Sequence, residues 1–460
     1  MSKVRNFAEI APNIGFSEFD FYDLYRSTFE KSELGRMKKL LPLHEMAENF
    51  GLVSKSMRPK LGRKSYFTHE GKVALMFLKM YTGLSCPKLM EQLNGNIHYQ
   101  MFCDVIIDPA RPLTNYKLLD DIMLELAGKL KIQQLQDILA EQWKPYMQNL
   151  DTMYTDATCY ESEMRYPMDP KLLWEGIEKS YETMCELSRR LGIHRPRTKF
   201  IDVQKANLAF RKQRKHSKSQ TRKITRRLLE LLGKILKEIR KMERAYEDAQ
   251  SLLTSREKGD LEIITKMYRQ QKNHFQSKDC RESIPNRIVS ISKPYVRPIV
   301  RGKEVKSVEF GAKVNNILVD GISFIEKLSF NEGTRLIHCL KMHKRLFGVE
   351  AKKVGGDTGY AGTENRDYCK ENGIQTSFVK RGRPFSEEKK EKDLVRKELA
   401  RVRATAMEGS FGTQKEHYDL RRVKARTKLT EILYIFFGIH TANVVQLADR
   451  IEQRAQLAAS

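Results

Sequence analysis

Stretches typical of β-strands alternate with stretches typical of α-helices along this sequence, and this alternation constrains the fold more than any single motif. At residues 151–159 the spacing of Leu, Glu and Lys gives way to β-branched and aromatic residues, which predicts a short strand ending near Asp156. Residues 289–380 alternate strand and helix patterns, and the Asp-Gly step at 320–321 lies between two β-runs, as in a hairpin. A later short strand ends at Asp357. The chain is therefore predicted to contain both strands and helices.

Residues 1–150 are predicted to be mostly helical. Thr68 can cap one helix, which Gly83 ends, and Ser85 and Pro87 can begin a second short helix. The segment as a whole is predicted to be a helical, DNA-binding domain. Two short helices around a glycine turn resemble a helix-turn-helix, but most such pairs are simple packing units, so DNA readout by this pair is the less favoured interpretation.

A second helical region, residues 169–288, contains the densest concentration of positive charge. Between Lys205 and Arg244 there are 15 Lys and Arg residues but only three Asp and Glu residues. Apolar residues at helical spacing in the same stretch predict an amphipathic helix rather than a tail. A solvated helical face is one interpretation, and contact with the DNA backbone is the favoured one. The residues assigned to that contact are Arg211, Lys212, Arg214, Lys215, Arg222, Lys223, Arg226 and Arg227.

The charge balance of the whole chain indicates a polyanionic partner. The 460 residues include 84 Lys and Arg against 58 Asp and Glu, a net charge of +26 that is self-repelling unless a polyanion is bound. Double-stranded DNA fits this requirement, because cations that neutralise its phosphates release condensed counterions. An enzyme that acts on small molecules gains nothing obvious from such a charge.

The cysteines and the N-terminus favour a cytoplasmic protein. The seven cysteines are scattered and form no C-x-x-C pair, which argues against a disulfide scaffold and a zinc ribbon. The residues after Met1 lack the apolar core of a signal peptide. The longest uncharged stretch, residues 432–448, contains polar side chains and is predicted to be a buried helix rather than a membrane span. The expected location is cytoplasmic and nucleoid-associated, with no membrane partner.

Three carboxylates occupy positions from which they could carry chemistry. Asp156 and Asp357 end strands, and Glu408 lies near the end of a charged helix. Phosphodiester cleavage needs little beyond placed metal ions, and two or three carboxylates are enough to hold two Mg²⁺ ions. Arg401 and Lys415 lie seven residues before and after Glu408, on nearly one helical face if the helix continues, where each could hold a phosphate. Because a single carboxylate is usually solvated or capping, the prediction depends on the joint pattern.

Four segments together carry a resemblance to a known family. They are residues 155–167 (TDATCYESEMRYP), 308–313 (VEFGAK), 356–360 (GDTGY) and 408–412 (EGSFG). In these segments the chain resembles the DDE transposases of bacterial insertion sequences, in the broad group of insertion sequence 5 and insertion sequence 1182.

The resemblance implies an α/β fold, with a ribonuclease-H-like mixed sheet and flanking helices. It also implies that Asp156, Asp357 and Glu408 form an Asp-Asp-Glu triad that holds two Mg²⁺ ions, with Mn²⁺ able to substitute. Related transposases cut at the inverted-repeat ends of their element and use the freed 3′ hydroxyl to attack target DNA.

Around the glutamate some relatives carry the signature Tyr-x2-Arg-x3-Glu-x6-Lys. Here Lys415 fits the last position, whereas Arg401 and Ala404 stand at the Tyr and Arg positions.

The long separation of the two aspartates is explained by an insertion. The predicted organisation is an N-terminal helical domain at 1–150, the first strand of the catalytic core at 151–168, a basic helical insertion at 169–288 and the remainder of the core at 289–455.

An active transposase, acting as a metal-dependent endonuclease and strand transferase, is the favoured function. The intact triad favours it over a non-catalytic DNA-binding protein derived from a transposase. A structural RNA-binding protein would explain the charge but not the placement of the carboxylates. The expected partners are double-stranded DNA, as transposon ends and as target, and a second copy of the chain, because two ends must be joined.

Overall fold

The computed structural model describes residues 4–5, 18–52, 65–277, 284–300, 308–329, 335–379 and 388–459. The chain divides into two compact units, of which the first combines Met1–Ser162 with Ala312–Ser460 and the second is Glu163–Gly311. Over the described residues the fold is mixed α/β, with mostly helical content.

The described helices, in chain order, are α1 (Glu18–Lys31), α2 (Glu33–Lys39), α3 (Leu43–Asn49), α4 (His69–Thr82), α5 (Cys86–Gly95), α6 (Ile97–Phe102), α7 (Lys117–Lys129), α8 (Ile132–Trp143), α9 (Asp169–Arg190), α10 (Phe200–Lys212), α11 (Lys218–Ala245), α12 (Ala249–Leu252), α13 (Ser255–Gln276), α14 (Leu336–Phe347), α15 (Thr363–Glu371), α16 (Glu388–His417) and α17 (Lys428–Ala459). The described strands are β1 (Val4–Arg5), β2 (Ile106–Ile107), β3 (Thr152–Ser162), β4 (Arg297–Val300), β5 (Val308–Val319), β6 (Ile322–Ser329), β7 (Lys353–Gly356), β8 (Gln375–Thr376) and β9 (Arg422–Val423).

The sheet of the first unit is mixed. Its strands run in the order β5-β3-β7-β8, with β6 paired to β5 and β9 paired to β3. The pairs β3–β7 and β7–β8 are parallel, whereas β5 and β6 form an antiparallel hairpin. Asp320 and Gly321 both have positive φ, 47° and 81°, as the predicted hairpin turn requires. This mixed sheet with flanking helices is compatible with a ribonuclease-H-like domain.

The two strands that carry the predicted aspartates end differently. β7 ends at Gly356, immediately before Asp357, in agreement with the sequence pattern. β3 continues past Asp156 to Ser162, so the prediction that this strand ends near Asp156 is wrong. The extension is stabilised because the last two residues of β3 pair in parallel with β9.

Two buried amide side chains cover the edge of β6. Gln136 of α8 donates to the carbonyl of Ile325 at 3.0 Å and accepts from its amide at 2.6 Å. Asn443 of α17 donates to the carbonyl of Ser323 at 2.6 Å and accepts from its amide at 3.0 Å. Because an edge strand carries backbone groups without a ladder partner, these amides bind β6 to one helix from each end of the chain.

The N-terminal helices pack against α17. Phe50 and Phe77 contact the ring of Phe437, at centroid distances of 6.4 Å and 4.9 Å. The buried Lys79 of α4 donates to the hydroxyl of Tyr434 at 2.8 Å. The beginning and the end of the chain therefore share one core.

α17 is the central helix of that core. Its length and composition would allow it to cross a membrane, but 89% of its most apolar 18-residue window is buried inside the protein. It is the buried helix that the sequence predicts at 432–448. The N-terminal helices, β6 and α16 all pack on α17, so segments from both ends of the chain lie in one compact unit. The predicted domain boundaries at 150 and 289 stay a prediction.

The second unit is a helical bundle with its own core. The buried positions of its three longest helices include Leu173, Ile177, Leu232, Ile235, Ile264 and Met267. The basic stretch predicted as one amphipathic helix forms two helices, α10 and α11, separated at residues 213–217. The separation arises because Ser217 and Gln220 form a capping box that starts α11. β4 pairs antiparallel with β5 up to Gly311.

Candidate active site

Asp156 lies in β3, and Asp357 directly follows the neighbouring parallel strand β7. Thr155 of β3 pairs with Gly356 of β7, so the next residue along each strand is an aspartate. Neighbouring strands are about 4.8 Å apart, and equivalent positions point to the same face of a sheet. The register therefore brings two of the three predicted carboxylates together.

A glycine in β7 allows α16 to cover this face of the sheet closely. A Cβ at Gly355 would lie 2.4 Å from the ring of Tyr154 and 3.1 Å from the backbone oxygen of Leu399 on α16. Any other residue would push away the ring or the helix. Tyr154 and Asp156 are two residues apart on one strand, so both face α16.

The loop that carries Asp357 is anchored to the sheet. Asp357 caps the 3-10 helix Thr358–Tyr360, and its Oδ1 accepts from the amide of Thr358 at 2.6 Å. The buried hydroxyl of Tyr360 donates to the side chain of Asn315 on β5. Burial raises the pKa of Tyr360, so this hydroxyl keeps its proton and remains a donor. The loop is therefore fixed to the sheet through Tyr360, while Asp357 itself is exposed.

α16 is one continuous helix that passes Gly412 and ends at His417. Its Met407 and Phe411 are buried against Leu318 of β5. This packing fixes the rotation of the helix over the sheet. Ser386, which precedes Glu387 and Glu388 in the sequence and is of a residue type that caps helices, lies outside the described residues.

Glu408 and Lys415 lie on nearly one side of α16. Glu408 follows the buried Met407 and is itself exposed. Lys415, almost two turns later, donates from Nζ to Oγ1 of Thr158 at 2.9 Å. Thr158 is two residues beyond Asp156 on the same face of β3. This side of α16 therefore faces the strand close to Asp156.

Arg403, rather than Arg401, is the α16 side chain that contacts Asp156. Its Nη1 lies 2.7 Å from Oδ2 of Asp156, and the two side chains are only 20% and 25% exposed. Arg401 is exposed and pairs with Glu398 of its own helix at 2.7 Å. Sequence reasoning missed Arg403 because it used the seven-residue spacing from Glu408. The partners are 247 positions apart, a separation that leaves no local signal.

The two aspartates are suitable donors for a hard divalent cation, because carboxylate oxygens are the ligands that Mg²⁺ and Mn²⁺ prefer. Over the described residues, however, no three His, Cys, Asp or Glu side chains form a group that could hold a metal ion. Glu408 is not gathered with Asp156 and Asp357 in this arrangement. The complete triad stays a prediction.

The cations predicted to contact DNA lie on the surface of the second unit. All eight, from Arg211 to Arg227, are exposed, whereas the apolar side of α11 is buried in the bundle. Arg222 also lies over the ring of Phe275, with its guanidinium carbon 4.9 Å from the centroid. The packing of the bundle therefore positions the helices that carry these cations, and the cationic side chains stay exposed to solvent.

Two stretches of the chain match families of transposase domains. Residues 354–444 match the family described as Transposase DDE domain, and residues 23–119 match the Transposase domain (DUF772). The first stretch contains Asp357, Glu408 and Lys415, and the second contains α4 and α5. Comparisons with the curated proteins and with the solved structures give no match. The two domain matches confirm the resemblance to insertion-sequence DDE transposases, without specifying the group.

Proposed function

We propose that this chain, which carries two transposase domains, is a DNA transposase that binds the terminal inverted repeats of its insertion sequence and catalyses metal-dependent strand cleavage and strand transfer into target DNA. Transposases act on DNA, and DDE transposase domains generally depend on divalent metal ions. The observation that carries the proposal is the register of β3 and β7, which sets Asp156 beside Asp357.

In this proposal Asp156, Asp357 and Glu408 would hold the metal. Bound Mg²⁺, or Mn²⁺ in its place, supplies an activated attacking oxygen and stabilises the leaving oxygen. Glu408 is exposed on the side of α16 that Lys415 shares, and in this proposal it joins the two aspartates when metal and DNA bind.

The remaining roles belong to cations that bind and orient DNA. Lys415 lies beside Thr158, close along the strand to Asp156, where its ammonium can bind a phosphate. Arg401 is exposed on the same helix and can bind a second phosphate. The exposed cations of α10 and α11 neutralise further phosphates of the DNA backbone. A homodimer on DNA and a cytoplasmic, nucleoid-associated location complete the proposal, because two transposon ends must be joined on chromosomal DNA.

The proposal is tested with the full chain and a DNA that carries the inverted repeats flanking its gene. We expect nicking at the repeat ends that requires Mg²⁺. Asp156→Asn should lower nicking more than ~100-fold, because even the outer partners of metal ligands are each worth 10–100-fold. Binding of the repeats should not weaken, since the substitution removes a negative charge that would repel a phosphate.

Asp367→Asn is the matched control, because Asp367 is an exposed aspartate on α15, ten residues beyond Asp357. It should cleave like the wild-type chain. Equal cleavage by Asp156→Asn and wild type would refute the catalytic assignment. Binding of the repeats without cleavage in any divalent metal would support the alternative, a non-catalytic DNA-binding protein derived from a transposase. The ion pair between Arg403 and Asp156 is the observation that favours that alternative.

A further inference from the structure

We propose that Arg403 is an internal counter-ion that competes with a divalent cation for the carboxylate of Asp156. This inference rests on the proposed function, because it takes Asp156 and Asp357 to be metal ligands.

Both oxygens of Asp156 already accept hydrogen bonds within the chain. Oδ1 accepts from the amide of Ala157 at 2.7 Å, and Oδ2 accepts from Nη1 of Arg403 at 2.7 Å. The guanidinium approaches Asp156 from α16, the helix that covers this face of the sheet. A cation that binds Oδ2 must therefore displace Arg403 or share the oxygen with a second positive charge.

The position of Arg403 is set by packing rather than by chance contact on the surface. Met407 is one turn after Arg403 on α16 and is fully buried. Gln414 is three turns after Arg403, on nearly the same side of the helix, and its side chain accepts a hydrogen bond from the buried hydroxyl of Tyr160. Rotating α16 so as to remove Arg403 would expose both side chains. The guanidinium can leave Asp156 only by a change of its own rotamers.

Electrostatics explains why a cation is stable at this position. The register places two carboxylates on neighbouring strands, and like charges at that separation repel. A guanidinium that is four-fifths buried offsets part of this repulsion in the metal-free chain. The same charge opposes the binding of Mg²⁺ or Mn²⁺ until it is moved away.

The test measures Mn²⁺ binding to the full chain without DNA, by electron paramagnetic resonance of the unbound ion. Arg403→Gln should bind Mn²⁺ about tenfold more tightly than wild type, because a neighbouring opposite charge changes the proton affinity of a carboxylate by at least that factor. Arg403→Lys should bind about threefold more tightly, because an ammonium keeps the charge but loses the planar donor geometry.

Arg396→Gln is the matched control. Arg396 is two turns earlier on α16 and pairs with Asp393 of its own helix at 3.4 Å, so its removal should leave Mn²⁺ affinity unchanged. Asp156→Asn and Asp357→Asn define the site, because each should weaken Mn²⁺ binding. Circular dichroism and thermal unfolding establish that each variant is folded.

The possible results separate this inference from the proposed function. Tighter binding in Arg403→Gln and Arg403→Lys but not in Arg396→Gln supports the counter-ion. If Arg403→Gln binds Mn²⁺ with wild-type affinity while Asp156→Asn still weakens binding, the proposed role of Arg403 as counter-ion is refuted, whereas the proposed metal site is not. Mn²⁺ binding that neither aspartate substitution affects overturns the metal site itself. If Arg403→Gln does not fold, wild-type Mn²⁺ affinity in Arg403→Lys refutes the proposed role of Arg403 as counter-ion.

Discussion

The two units of this chain differ in net charge and in which of them contains the candidate active-site carboxylates. The second unit, Glu163–Gly311, contains 36 Lys and Arg against 19 Asp and Glu, so it carries +17 of the net +26. The first unit is about twice as long and carries the remaining +9. It contains Asp156, Asp357 and Glu408, and both family matches lie in it.

In the proposed function, affinity for a polyanion and a catalytic constellation are therefore encoded in separate parts of one chain. The second unit needs only a buried apolar stripe and exposed cations, which one amphipathic helix supplies. The first unit needs carboxylates brought together from remote positions, which only a sheet and a covering helix supply. A change in one unit should therefore leave the role of the other unit intact.

The largest expected effect comes from reversing charge in the second unit. Replacing Arg222, Lys223, Arg226 and Arg227 with Glu should weaken DNA binding for every sequence. The slope of log affinity against log salt should flatten by about 3.6, at ~0.9 per lost phosphate contact. Fluorescence anisotropy of a labelled duplex over a range of salt concentrations measures both quantities.

The matched control places the same change of charge on the first unit. Lys131, Lys341, Lys352 and Lys370 are exposed there, and their replacement by Glu should flatten the slope by less than about 1. Equal slopes for the two quadruple variants would show that DNA binding depends on net charge alone. The contrast between the units would then have no functional meaning.

A smaller effect is expected from the hydrogen bonds between α8 and β6 in the first unit. Gln136→Leu leaves the buried amide and carbonyl of Ile325 without their side-chain partner. The free energy of unfolding should fall by about 2–4 kcal/mol, since each buried backbone group left without a partner costs roughly 1–3 kcal/mol. Urea unfolding measures the change.

Gln134→Leu, at an exposed position of the same helix, is the control and should change stability little. The salt slope of DNA binding should be wild-type in both variants under folding conditions. A stable Gln136→Leu chain would mean that the N-terminal helices are not needed to hold β6.

The smallest effect concerns the acid stability of the second unit. Hydrogen bonding to Arg190 lowers the pKa of Glu257 to about 2. The unfolded value is about 4.3. Because the folded pKa is the lower one, this stabilisation is complete above about pH 4.3 and is lost as the pH falls toward 2.

Glu257→Gln should therefore destabilise the second unit by about 1–2 kcal/mol at neutral pH, since it also weakens the capping box with Thr254 at the start of α13. The difference from wild type should shrink as the pH falls from 4 to 2, as followed by thermal unfolding at each pH. A difference that does not depend on pH would assign the effect to the cap alone.

Local features were predictable from the sequence because local interactions determine them. Thr68 caps α4, Gly83 ends it in the left-handed conformation, and Pro87 lies in the first turn of α5. The hairpin turn at Asp320 and the end of β7 before Asp357 also follow from neighbouring residues alone. Each of these depends on backbone preferences within a few residues.

Remote pairings were not predictable in the same way. The continuation of β3 beyond Asp156 depends on β9, and the contact of Asp156 depends on Arg403, both of which are more than 240 positions away. The packing of α17 against helices from the opposite end of the chain was not predictable either, because no local pattern links the two segments. Periodicity shows that a face is apolar but not which partner covers it.

The sequence by itself determined the apolar stripes, the turns and the excess of positive charge, and it supplied the three acidic residues that the proposal uses, because these are properties of residues and their close neighbours. The tertiary structure alone decided that Asp156 and Asp357 are neighbours, that Arg403 neutralises one of them and that Glu408 stays apart, because the register of parallel strands and the rotation of a covering helix are set by packing between distant segments.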